Sequence, residues 1–111
     1  MQLTNDAKIV LYELYNRYSM KRKCGISKRE SVQFGSAQDI LNDFFPKMLL
    51  EDLEDSLREL GRNGFLNNFY ADNTVYNCAL TDYAIVTIEK LPKDDLKTIS
   101  KFISAFIKLI P

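Results

Sequence analysis

Leu49, Leu50, Leu53, Leu57 and Leu60 recur at the steps of a single helix face, and the helix they trace runs directly into Gly61 and Gly64. Two apolar runs follow at residues 65–70 and 75–80, separated by Ala71, Asp72, Asn73 and Thr74. A leucine stripe at helical spacing marks the buried side of an amphipathic helix. A short polar turn between two apolar runs marks a β-hairpin. Just upstream, Ser36 and Asp39 form a capping pattern that opens a short helix carrying Ala37, Ile40, Leu41 and Phe44, and Pro46 ends it. Two short helices separated by a tight turn make a helix-turn-helix, so the middle of the chain is predicted to be helix, turn, helix, hairpin.

The flanks extend this pattern. Residues 5–23 place Ala7, Leu11, Leu14, Tyr15 and Tyr18 at helical spacing, with Thr4 or Asn5 as the cap. Lys21, Arg22 and Lys23 lie in the last turn, and Gly25 is suited to a left-handed stop. Ile9 and Tyr12 fall off the main stripe, so this helix is expected to touch more than one neighbour. Residues 26–35 alternate weakly and read as a loop with a short strand at Val32 and Phe34. Thr81 and Asp82 start a further helix through Ala84, Ile85 and Ile88 to Leu91. Beyond Pro92, Leu96, Ile99, Ile103, Phe106 and Ile110 repeat at steps of three and four. Residues 1–91 are expected to form the body of one domain. Residues 92–111 are expected to add a C-terminal amphipathic helix to that domain and to serve as a dimerisation element.

Composition excludes several classes of chemistry. The 111 residues contain no histidine, which removes His-based triads and His-containing zinc sites. Cys24 and Cys78 form no Cys-x-x-Cys pair, and no phosphate loop or nucleophile motif occurs. The adjacent acids Glu51-Asp52 and Asp94-Asp95 sit at helix starts, where favourable interaction with the dipole explains them. An enzyme is therefore not expected, nor is any cofactor or metal. No run is long enough to cross a bilayer and the first residues do not resemble a signal peptide, so a cytoplasmic location is expected, with no membrane partner.

The match of residues 50–66, LEDLEDSLRELGRNGFL, followed by ALTDYA at residues 79–84, resembles the winged-helix superfamily, including bacterial regulators of the MarR and PadR type. In those families the third helix enters the wing through a glycine followed by an aromatic or aliphatic residue, and the wing closes on Leu-Thr before a helix. The acidic third helix is also similar to YjcQ-like small winged-helix proteins of low-GC Gram-positive bacteria and their phages. The resemblance covers about 45 residues. It implies an α+β fold, mainly α with a small β-hairpin wing: a winged helix-turn-helix with an additional C-terminal helix. The function it implies is DNA binding, as a bacterial or phage transcriptional regulator.

Net charge is zero, but residues 1–35 carry seven bases and three acids, residues 36–91 four and ten, and residues 92–111 four and two. The candidates for DNA contact are Lys28, Arg29, Ser36, Gln38, Lys47, Arg58, Arg62, Asn68 and Asn73, as phosphate or base-edge partners. The third helix conflicts with that role. Its outward positions are Glu51, Asp52, Asp55, Arg58, Glu59 and Arg62, with acids in the half that normally enters the major groove. The second expectation is therefore a winged helix that binds a protein through Glu51, Asp52, Asp55 and Glu59. A plainer reading of the same acids is a solvated face whose charges suit the helix N-terminus. The tyrosines are expected in the core or at an interface. A homodimer is expected through Ile9, Tyr12, Ile99, Phe102, Ile103, Phe106, Ile107 and Ile110.

Overall fold

A computed structural model describes residues 2–91. The expected C-terminal helix, and with it Ile99, Phe102, Ile103, Phe106, Ile107 and Ile110, lies outside the described residues. The described fold is α+β, with five helices and a three-stranded antiparallel sheet.

Helix α1 spans Asn5–Lys23, capped by the Thr4 hydroxyl, which accepts from the Ala7 amide, and it stops at Gly25 with φ +85°. It is buried on more than one side, as its pattern predicts: Ala7, Val10, Leu11 and Leu14 are fully inaccessible, and Ile9, Tyr12 and Tyr18 are also buried. The helix packs against α4, α2 and α5. Residues 26–35 are more ordered than the expected loop. They hold a single helical turn, α2 (Lys28–Ser31), capped by Ser27, and a three-residue strand, β1 (Gln33–Gly35). Phe34 is buried from that strand, in agreement with the short strand expected there.

Helix α3 spans Ala37–Phe44 and opens with the complete Ser36 and Asp39 capping box. The chain then turns through Pro46, and Phe45 and Met48 point inward. Helix α4 spans Leu50–Arg62. Its buried stripe is Leu53, Ser56, Leu57 and Leu60, which corrects the five-leucine face read from sequence. Leu49 is the N-cap and is 66% exposed, and Leu50 is 39% exposed. The first turn of α4 thus leaves both leucines at the surface, while Phe45 and Met48 of the preceding turn are buried.

Strands β2 (Leu66–Ala71) and β3 (Thr74–Leu80) form the hairpin. Asp72 and Asn73 turn it with φ of +51° and +62°, the left-handed conformation that short polar side chains tolerate best. The register shifts between Phe69 and Tyr70, because Tyr76 is an extra residue opposite them. That bulge lets Val75, Cys78 and Leu80 all point to the core despite their uneven spacing. The sheet order is β1-β3-β2, so β1 lies on the far side of β3 from β2. Helix α5, Asp82–Glu89, starts at a Thr81 cap and ends two residues before the expected Leu91. Among the described residues no helix is long and apolar enough to cross a membrane.

Candidate functional site

The first turns of α4 lie beside the tip of the hairpin, and side chains from both fix their separation. Glu54 faces the hairpin: the Val75 amide donates to both of its carboxylate oxygens at 3.1 and 3.2 Å. Arg58, one turn later, pairs with Glu54 at 3.6 Å and donates to the Asn73 carbonyl at 2.8 Å. Its guanidinium also lies 4.9 Å from the centre of the Tyr70 ring. Together these contacts hold the wing tip against the helix. Between helix and tip is a cleft of about 570 Å³, lined by Leu49, Leu50, Glu51, Glu54, Asp55, Arg58, Asn73 and Thr74. Glu51, Asp52 and Asp55 are exposed and make no ion pair or hydrogen bond through their side chains among the described residues.

Several residues read as DNA contacts already have a partner within the chain. Lys28 pairs with Asp82 at 2.8 Å, and that hydrogen bond raises the lysine's pKa above its ordinary value. Ser36 is occupied as a helix cap, and Gln38 donates to Asn42. Arg58 is held by the wing, and Asn73 by its turn. The Asn68 amide donates to the Leu57 carbonyl and to the Tyr70 hydroxyl. Lys21, from the basic run at the end of α1, donates to the Gln33 carbonyl and sits over the Phe34 ring. Arg29, Lys47 and Arg62 remain exposed, without an ion pair or hydrogen bond through their side chains among the described residues.

Of the residues read as protein contacts, Glu59 is placed differently from the other three. Its carboxylate accepts from the Thr4 amide and hydroxyl, both at 2.8 Å, which ties the start of α1 to the end of α4. Ile9 and Tyr12, read as part of an interface with a second copy, belong to the buried cluster. Sequence reasoning missed two features of the site. Glu54 is absent from the outward positions read from sequence, yet with Arg58 it links the helix to the wing; and the leucine stripe places Leu49 and Leu50 inside, where the structure exposes them. The absence of a Ser, Thr, Asp or Asn cap at position 49 was the available signal that the helix starts unusually. Of the tyrosines, Tyr12 and Tyr18 are buried, while Tyr76 and Tyr83 stand out from the surface. Phe69 and Tyr76, each 62% exposed, meet edge to face with their ring centres 6.2 Å apart.

No protein-family model matches the chain, and no curated protein or solved structure matches it.

Proposed function

We propose that this chain is a winged-helix domain that acts as a protein-binding module, with α4 and the wing tip forming its contact face. The order of helix, helix-turn-helix and hairpin, with a sheet of order β1-β3-β2, supports the fold reading. The observation that carries the functional reading is the outward display of Glu51, Asp52 and Asp55 on the half of α4 that would have to approach DNA. Each carboxylate held about 4 Å from a phosphate is opposed by about 1 kcal/mol even in water, and more as water is excluded. Arg58, the cation best placed to offset that repulsion, is already paired with Glu54. A partner surface rich in lysine or arginine meets the same carboxylates with favourable charge.

Arg29, Lys47 and Arg62, all exposed, support a second reading, in which the chain is a DNA-binding regulator that touches phosphates from the periphery. Anisotropy titrations against duplex DNA from around the chain's own gene, at low and physiological salt, separate the two readings. The protein-binding reading expects only weak DNA binding, lost as salt rises. Sequence-dependent binding that persists at physiological salt, and falls when Arg29, Lys47 and Arg62 are neutralised, would overturn it.

A further inference from the structure

We infer that the cleft between the first turn of α4 and the wing tip receives a peptide segment with one bulky apolar side chain flanked by lysines or arginines. The inference rests on the protein-binding reading of this face and adds the chemistry of the partner. Leu49, 66% exposed, and Leu50, 39% exposed, line the cleft and offer an apolar contact that no other described residue covers. The other lining side chains with charge are Glu51, Glu54 and Asp55 against the single Arg58. Arg58 is matched by Glu54 and the Asn73 carbonyl, which leaves Glu51 and Asp55 as uncompensated negative charge. That field rejects phosphates and acidic peptides and favours cations beside the apolar anchor.

The identity of residue 49 is a separate pointer. Thr4, Ser27, Ser36 and Thr81 each cap a helix through a side-chain hydrogen bond, whereas α4 starts at a leucine that makes none. The backbone at Leu49, φ −73° and ψ 138°, is the extended conformation that a capping serine or aspartate adopts. An exposed leucine there serves folding less well than a polar residue, and a local departure of this kind is expected where a contact surface takes precedence. The cleft is also preformed. Glu54 and Arg58 hold the wing tip in place, so little ordering of the receptor accompanies binding.

The test uses the full chain and two fluorescein-labelled synthetic peptides, identical in their lysines and arginines, one with a central leucine and the other with serine in its place. Anisotropy at physiological salt is expected to show the leucine peptide binding about tenfold or more tighter than the serine peptide. Leu49→Ser combined with Leu50→Ser should abolish that preference while keeping the weaker binding common to both peptides. Glu51→Gln combined with Asp55→Asn should weaken both. Thermal unfolding of each variant close to that of the wild type establishes that the fold is intact, and Leu49→Gln alone is the substitute if the double variant unfolds early. Equal binding of the two peptides, lost only in the charge variant, would overturn the cleft and leave the protein-binding reading standing. Binding of neither peptide, together with salt-resistant binding of duplex DNA, would overturn both. Self-association of the unliganded chain that disappears in the leucine variant would also overturn the inference, by assigning the cleft to a second copy.

Discussion

Replacing Glu54 by alanine and, separately, by glutamine resolves what holds the wing to α4. The Glu54 side chain is only 14% exposed, both its oxygens accept from the Val75 amide, and Val75 is itself buried. Alanine removes the acceptor and leaves that amide facing a partly buried gap. A hydrogen bond to a charged group contributes about 1.5–3 kcal/mol. The Arg58 ion pair, in which the arginine is one-third exposed, contributes about 0.5 kcal/mol after screening. Glu54→Ala should therefore destabilise the chain by about 2–3.5 kcal/mol, at roughly 4–8 °C of melting temperature per kcal/mol for a domain near this size. Glu54→Gln keeps a carbonyl oxygen for the Val75 amide and loses only the charge, so its cost should be about 1 kcal/mol or less. Urea denaturation followed by circular dichroism measures both, and amide exchange at Val75 should accelerate in the alanine variant alone. Glutamine proving as damaging as alanine, or alanine costing under about 0.5 kcal/mol, would refute the hydrogen bond as the principal link.

Other substitutions check the neighbouring claims. Leu57→Ala, at a fully buried position, should cost about 2–5 kcal/mol in urea denaturation, whereas Leu49→Ala should stay within about 1 kcal/mol of the wild type. At the wing tip, Asn73→Gly should be tolerated, because glycine accepts φ +62° without strain, while Asn73→Val should destabilise by about 1–2 kcal/mol. Burial pushes the Cys78 thiol up to about 12 from 9.0, so the native chain should react with a thiol reagent at Cys24 and become reactive at Cys78 only on unfolding. Between those two values the unfolded thiol loses its proton while the folded one keeps it. Stability should consequently fall as pH rises from about 9 towards 12, by about 1.4 kcal/mol for each unit, and Cys78→Ala should remove that part of the alkaline slope.

The elements most legible in the sequence are those whose signals are local. Thr4, Ser36 and Thr81 mark three helix starts by their own chemistry, and the turn composition of residues 71–74 marks the hairpin, whose turn the structure narrows to Asp72 and Asn73 because Ala71 and Thr74 pair with each other. The strand β1 is less legible, because its stability comes from pairing Gln33 with Ala79, residues far apart in the chain. Helix α2 was missed although Ser27 and Glu30 sit at capping spacing, since one turn of helix carries no periodicity of its own. Among the site residues, Glu51, Asp52 and Asp55 follow from helix phase alone. The role of Glu54 does not, because a carboxylate turned towards a hairpin amide looks the same in sequence as one turned towards water. The same holds for Arg58, Asn68 and Lys28, whose partners come from other elements. Leu49 and Leu50 mislead for a related reason: periodicity places them on the leucine face but does not say where the core ends.

Chemical-shift mapping of the isotopically labelled chain, titrated at physiological salt first with the leucine-containing basic peptide and then with duplex DNA, tests the central claim most directly. The expected result is that the peptide perturbs amides at residues 49–55 and at Asn73 and Thr74, while DNA leaves them unchanged. Perturbations by DNA clustered around Arg29, Lys47 and Arg62, with none from the peptide along α4, would contradict it.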